Sequence, residues 1–426
     1  MLILSIVCHL GGGVGAVLKN WIEHDIHNTH IIACLNNDDP RSETVYVETH
    51  YGLCNNFNYL NELVKKSDIV VFHFYNNPLY YELLINNGLP KCRLVVWSHS
   101  NTLYPPYVLT YKLVDMCDKF IVTSPSTYES YEFKNLTVEQ KKKFDVIWSV
   151  ANMSKFSNIP KIKHDTFNIG YVGTIDFSKL NPDFIKLCSQ INIPNVRFIV
   201  CGNGPDLSLL KRQIIKYNMQ DKFILSDDWS KDVPFWVSQM DLFGYPLYER
   251  NCATCEQVIG EAMSAGLVPV VLNNRPESYI IINGVNGIVT DKNHYASSIE
   301  DLYNKQEVLN KMSIFVKEFA LLAYDTSLMI DSWNKVFADT VNLEKKERRW
   351  LFTGEEIFKQ SLGSYGDFFS GSKSDIKDIL NSSKQWTSQN KGSVYQYARY
   401  FPNDKKLQYY KQCANELIDS GEYCGE

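Results

Sequence analysis

The sequence predicts an α/β fold: two doubly wound sheets in succession, followed by a helical segment. Three observations carry this. Short apolar runs rich in β-branched residues alternate with helix-like stretches along most of the 426 residues. The rhythm breaks once, over 149–166, and then resumes. It stops near residue 350. A chain of this length with 45% hydrophobic residues can bury two cores, since single cores stop growing at roughly 250–300 residues.

The first set of strands is expected at Leu2–Cys8, His30–Leu35, Ile69–Phe74, Leu94–Trp97, Phe120–Thr123 and Asp145–Trp148. Each is bounded by polar or turn residues, as buried parallel strands are. Helical stretches at Val14–Glu23 and Tyr107–Asp115 lie between them. MLILSIVCHL lacks the basic start and small-residue cleavage site of a signal peptide and reads as the first strand. The polar stretch Ser149–Thr166, with a Pro and no periodicity, reads as an interdomain linker.

The second set follows at Phe167–Val172, Val196–Cys201, Phe223–Ser226, Asp241–Tyr245, Leu267–Leu272 and Gly287–Thr290, with Leu207–Asn218 a good amphipathic helix. The domains are therefore drawn at 1–155 and 166–325, with a helix returning over 326–349. Residues 350–426 change character. They hold no alternating strands, many aromatics and several Gly/Ser turns, and read as a helical appendage. Its aromatics suit packing against the domains, a glycan-binding acceptor surface or a homo-oligomer interface.

Composition excludes several classes. A net charge of -5 argues against a nucleic-acid binder. No apolar run reaches the roughly 20 residues that span a bilayer. The eleven cysteines are scattered, and the lone CxxC pair, Cys252 and Cys255, lacks the second pair that a zinc site needs. Free thiols imply a reducing, cytoplasmic setting. The basic clusters Lys141–Lys143 and Lys345–Arg349 would allow peripheral contact with the inner face of an anionic membrane.

Five segments are candidates for chemistry. In HLGGGVGAVL, Gly11, Gly12, Gly13 and Gly15 follow a strand and open a helix, where bare backbone admits a ligand and helix N–H groups favour anions. The spacing is not GxGxxG, and Asn36 and Asn37 follow the next strand instead of an acidic residue, against a dinucleotide loop. In VVWSHSN, His99 lies just past a strand. It suits either a satisfied loop residue or a donor to a sugar hydroxyl or phosphate oxygen. GYVGTIDFSKL ends its strand at Gly173 and carries Lys179, either a point charge for phosphate or a solvated surface lysine. VCGNGPDLSLL makes a tight turn through Gly202, Gly204 and Pro205, with Asp206 in the first helical turn.

The fifth segment, YERNCATCEQVIGEAMSAGLVPVV, is the richest. Thr254 with Gln257 three residues on resembles a capping box, which would aim a helix N-terminus at an anion. Val258 shares that first turn. Glu261 precedes the small residues Ala262, Ser264 and Ala265, and Gly266 supplies the C-terminal stop. A packing helix and a ligand platform both fit. Glu256 and Glu261 are five apart, off one face, and do not form a hydrolase dyad.

Taken together, the motifs resemble retaining glycosyltransferases of the GT-B fold, most closely glycosyltransferase family 4. The likeness is strongest over 167–290, fainter over 1–150 and absent after Trp350. It implies two Rossmann-like domains facing a cleft, an N-terminal acceptor domain and a C-terminal donor domain. The implied donor is a nucleotide diphosphate sugar, UDP-sugar favoured over GDP-sugar, with no cofactor and no metal. By this resemblance Lys179 binds the donor diphosphate, with Gly173, Thr174 and Gly202 around it, and Glu261 accepts hydrogen bonds from the ribose hydroxyls. Gly12 and Gly13 approach the donor phosphates, His99 contacts the donor sugar, and Ser226–Trp229, including Asp228, lies near the base.

Two departures stand out. Thr174 replaces the family's Arg, and Ala253 replaces a Glu eight residues before Glu261. Glu256, Gln257 and Thr254 are the substitutes that would face the donor sugar. The expected activity is transfer of a hexose, with retention, to a glycan, lipid-linked or protein acceptor in bacterial surface polysaccharide or glycoconjugate synthesis. The alternatives are a sugar-nucleotide epimerase of the same fold and a non-catalytic transferase-like subunit.

Overall fold

The structure, a computed structural model, describes residues 1–38, 42–226, 232–389 and 391–422. It divides into two compact units, Met1–Ser149 with Thr326–Glu426, and Val150–Asp325.

The first unit opens with strands β1 (Leu2–Val7), β2 (Thr29–Cys34), β3 (Glu48–His50), β4 (Ile69–Phe74), β5 (Leu89–Cys92), β6 (Leu94–Ser98), β7 (Lys119–Val122) and β8 (Phe144–Val146). Seven of them form a sheet in the order β3-β2-β1-β4-β6-β7-β8, with every pairing parallel. β4 is buried at all six positions because both faces are covered. Alternation along the strands divides those faces. Leu4, Ile6, Phe72 and Phe74 enter one core, while Ser5, His73 and Trp97 point the other way, towards Trp21 of the helix Gly12–His24 and Trp333 of the helix Thr326–Thr340.

The segment read as an appendage belongs to the first of those cores. Trp350, Phe358, Tyr397, Leu407 and Tyr410 are buried with Phe72, Tyr80 and Tyr81. The Trp350 and Tyr397 rings stack on Tyr81 at 5.5 and 6.4 Å. The residues before it add a short strand, Lys346–Arg348, antiparallel to β5. Arg348 is buried and pairs with Asp118, and also donates to the carbonyl of Cys92. That corrects its place in a basic surface cluster. Lys143 likewise donates to the carbonyls of Val114, Asp115 and Cys117.

The second unit carries β9 (Phe167–Val172), β10 (Val196–Cys201), β11 (Phe223–Ser226), β12 (Leu242–Tyr245), β13 (Val268–Leu272) and β14 (Ile288–Thr290). They form one parallel sheet in the order β11-β10-β9-β12-β13-β14. The order reverses between β9 and β12, and ligands of such sheets bind beyond the carboxyl strand ends at that reversal. The stretch read as a linker is part of this unit from Val150 onward and contains the short helix Ser154–Ser157. Met153, which caps that helix, lies against Gly260, where an added Cβ would meet its Cε at 3.0 Å. Among the described residues, no helix is long and apolar enough to cross a membrane.

Candidate functional site

The turns after β9 and β10 are locked together. Gly173 N–H donates to Cys201 O at 3.0 Å, Ile175 N–H to Asn203 O at 3.0 Å, and Asp206 N–H to Ile175 O at 3.1 Å. A Cβ on Gly202 would stand 1.9 Å from the Gly173 carbonyl oxygen, and one on Gly204 would stand 2.2 Å from that of Ile175. Both glycines are thus required by close backbone approach. Asp206, expected to serve the helix dipole, has no capping bond to its own helix. Its carboxylate instead accepts from Phe177 N–H at 2.7 Å. Thr174, half-buried in the same turn, accepts the Tyr171 hydroxyl on its carbonyl at 2.9 Å.

This arrangement fixes the backbone that carries Lys179. The loop after β12 is stitched to the same backbone: Asn181 N–H donates to Pro246 O at 3.1 Å and Tyr248 N–H to Lys179 O at 2.7 Å. Asn251 then turns the loop by accepting from Ala253 N–H at 2.6 Å. The loop therefore delivers Glu256 to Lys179, with Oε2 3.0 Å from Nζ. Glu256 is buried and also accepts from the hydroxyl of Tyr245, whose ring stacks on Tyr171 at 5.4 Å. Burial and the Glu256 charge hold the Tyr245 phenol well above its ordinary range.

The capping box is not formed. The helix begins at Gln257, its N-cap is Glu256, and no side chain caps it. Thr254 is buried two residues before the N-cap, inside the loop that reaches Lys179. The spacing of Thr254 and Gln257 imitates a cap, but the loop's ties to Tyr248 and Asn251 delay the helix start. Gln257 and Val258 are half-buried in the first turn. Glu261 follows about one and a half turns after the cap. Its carboxylate has no hydrogen bond or ion pair among the described residues. Burial pushes it up to about 7, opposed by the charge of Lys155.

Sequence reasoning missed Glu277. It sits in the helix Arg275–Ser278 after β13, fully buried. Asn274 Nδ2 donates to its Oε1 at 3.5 Å and to Leu247 O at 3.3 Å, while Oε2 has no partner. Burial, with the charge of Glu256, pushes the carboxyl up to about 8. Its signal was a Pro-Glu pair opening a helix just past a wholly apolar strand. Cys252 and Cys255 are free thiols. Among the described residues, no group of three or more His, Cys, Asp or Glu could hold a metal ion. Asp228 and Trp229 lie outside the described residues.

The other predicted residues belong to the first unit. Gly12 and Gly13 are exposed at the start of their helix, and Gly12 has φ of +67° with open space around it. Gly15 is the packing glycine, since a Cβ there would stand 1.7 Å from the Leu10 carbonyl oxygen. His99 follows β6, half-buried, with its N–H on Phe74 O at 2.7 Å. Its Nε2 lies 3.2 Å from His73 Nδ1, and its ring is 4.6 Å from that of Trp97. Burial pushes the His99 imidazole down to about 3, so it is neutral at physiological pH. The structure thus gathers Lys179, Thr254, Glu256, Gln257 and Glu261 around one loop and helix in the second unit, and holds His99 among aromatic rings in the first.

Two parallel α/β sheets, each in its own compact unit, match the GT-B fold. Residues 152–319, within the second unit apart from its first two and last six residues, match the family model of the glycosyl transferases group 1. Solved structures share the fold. HepE of Anabaena, in complex with UDP and glucose, aligns with a TM-score of 0.61 at 15% identity over 80% of this chain and 100% of its own. A glycosyltransferase of Rickettsia africae aligns at 0.62 and 14% over 80% of this chain and 98% of its own. The sucrose-phosphate synthase of Thermosynechococcus elongatus aligns at 0.62 and 13%, with the same coverage. No curated protein matches the sequence.

Proposed function

We propose that this glycosyltransferase moves a hexose from a nucleoside diphosphate sugar, UDP favoured, to a hydroxyl of a glycan, lipid-linked or protein acceptor, with retention at the anomeric carbon. The observation that carries this reading is the placement of Lys179. Its ammonium sits 3.0 Å from the N-cap residue of the helix that bears Glu261. A cation and a helix N-terminus together favour a diphosphate. Further along the same helix, a carboxylate without a partner stands ready to accept two ribose hydroxyls. HepE, solved with UDP-glucose, supports the choice of donor.

In this reading the departing diphosphate takes the acceptor proton on the face it leaves, so no protein nucleophile is needed. Lys179 stabilises the charge growing on the phosphate. That requires Lys179 to exchange its bond with Glu256 for one with phosphate, and Glu256, released, turns to the donor-sugar hydroxyls. His99, neutral, acts as a hydrogen-bonding group to the sugar and not as a proton acid. Gly173, Thr174 and Gly202, in the turns beside Lys179, complete the phosphate surroundings in the second unit.

A second reading has one observation in its favour. Thr174 removes a cation and Glu256 neutralises the remaining one, as suits a transferase-like partner that binds nucleotide weakly. Incubation of the full chain with labelled UDP-sugars and candidate acceptors separates the readings. Acceptor-dependent product with Lys179→Ala and Glu261→Ala folded but inactive is the expected result. Full transfer by both variants would overturn the site, and nucleotide binding without turnover would favour the partner subunit.

A further inference from the structure

Glu256 uses its carboxylate oxygens unequally. Oε2 takes both partners, the Lys179 ammonium at 3.0 Å and the Tyr245 hydroxyl. Oε1 has no hydrogen bond or ion pair among the described residues. Unlike Glu277 Oε2, it is not sealed from solvent. Polar atoms of buried side chains are usually bonded, and an open, unbonded oxygen on an otherwise well-held carboxylate is where a ligand hydroxyl can attach.

Tyr245 is well placed to hold the other oxygen. It ends β12 and is wholly buried, with its ring stacked on Tyr171 at 5.4 Å and on Phe243 at 5.2 Å. Tyr171 is fixed in turn by its hydroxyl bond to the Thr174 carbonyl. Among the described residues, Glu256 is the one acceptor that the Tyr245 hydroxyl has. The Lys179 ammonium lies 6.0 Å from the centre of the same ring, so both members of the ion pair meet this tyrosine. Burial and the Glu256 charge keep the phenol protonated, and therefore a donor.

A diphosphate that takes Lys179 removes the cation from Oε2. If the carboxylate left Tyr245 as well, the enclosed phenol would lose its acceptor, at about 1–3 kcal/mol. If it stays, that loss is avoided and Oε1 can still meet a hydroxyl. The second course is favoured, so Glu256 turns about its bond to Tyr245 and does not leave it.

We infer that Tyr245 is a positioning residue for the donor sugar: it retains Oε2 of Glu256 when phosphate takes Lys179 and so leaves Oε1 for a hydroxyl of the hexose. This rests on the proposed function, in which Lys179 binds the diphosphate and Glu256 meets the sugar. Wholly buried, Tyr245 acts through Glu256. The sugar half of the donor should therefore feel its hydroxyl, and the UDP half should not.

The test compares the full chain as wild type, as Tyr245→Phe, as Glu256→Gln and with both changes together. Tyr245→Phe keeps the ring and its stacking and removes only the hydroxyl. Transfer from a UDP-sugar is followed as kcat/KM, and binding of UDP and of UDP-glucose by calorimetry. In Tyr245→Phe, kcat/KM is expected to fall about fivefold while UDP affinity stays within about twofold of wild type. In the Glu256→Gln background the same change should cost less than about twofold. An equal loss in that background overturns the inference. So does full transfer by Tyr245→Phe, or a loss of UDP affinity as large as the loss of transfer. If the wild type binds nucleotide without turnover, the affinity for UDP-glucose relative to UDP is read in place of kcat/KM, and an unchanged ratio in Tyr245→Phe overturns the inference. Full transfer by Lys179→Ala would instead overturn the phosphate site on which it rests.

Discussion

The two units prepare for chemistry in opposite ways. In the second, charges meet charges: Lys179 against Glu256, with Glu277 buried close behind and Glu261 waiting without a partner. In the first, His73 and His99 are neutral and wedged among indoles. An ion pair such as Lys179 with Glu256 can trade partners when an anion arrives, because the cation is already in place. A neutral aromatic cluster cannot trade charge, but it holds a ring at a fixed angle. In the proposed function, the second unit accordingly supplies binding and charge stabilisation, and the first supplies orientation.

Experiments can break or sharpen that contrast. The largest effect is expected from cutting the chain before Trp350. It strips the first sheet of Phe358, Tyr397, Leu407 and Tyr410, and the first unit should be insoluble on expression. A soluble, folded product would show that these residues are not its core. Next is Lys179→Ala, for which transfer should fall by about 10²–10³, measured as kcat/KM with UDP-sugar. The same change in Glu256→Gln should be far smaller, since Lys179 then faces the phosphate unopposed. Equal losses in the two would mean that the ion pair, not the cation, is what matters.

Glu261 gives a pH-dependent effect. Its carboxylate must be charged to accept strongly from ribose, and in the free protein it titrates at about 7. UDP affinity should therefore rise as pH increases through 7 and level off above 8, as read by calorimetry. In Glu261→Gln it should be weaker by about tenfold at pH 8 and flat with pH. A pH-independent wild type would remove Glu261 from the nucleotide site.

The smallest effect concerns Glu277. Its folded value, about 8, lies above the ordinary carboxylate range, so the protonated form favours the fold. That contribution is complete below the unfolded pKa of roughly 4.3 and is lost as pH rises from there through about 8. Glu277→Gln should match wild type in Tm at pH 4 and exceed it by about 2–4 °C at pH 9. A lower Tm at pH 9 would indicate that the charged form is the one the fold holds.

The strands were legible because parallel sheets write themselves as continuous apolar runs, and Ile69–Phe74, Phe167–Val172, Val196–Cys201 and Phe223–Ser226 are observed with the predicted bounds. Glu48–His50 and Leu89–Cys92 were not, being short edge pieces without such a run. His73 escaped notice for the opposite reason: IVVFHF reads as buried throughout, and nothing local says that a histidine just past the end of β6 lies 3.2 Å away. Thr254 misled because a capping box is a local pattern, while the helix start follows a loop fastened by Tyr248 to Lys179, far earlier in the chain. The destination of 350–426 could not be read at all. Aromatic spacing shows that a helix is buried, not which sheet it covers.

That last segment also orders events during synthesis. The second unit lies wholly within 150–325, so every residue of its sheet has been made before residues 326–426 follow. The first unit draws on residues either side of the second in sequence, and Leu407, Tyr410 and Leu417 of its core are made after all of 150–325. One apolar face of its sheet stays uncovered until those residues leave the ribosome. The first unit therefore cannot complete its core until after the second has been made, and while it waits its bare apolar face is open to aggregation.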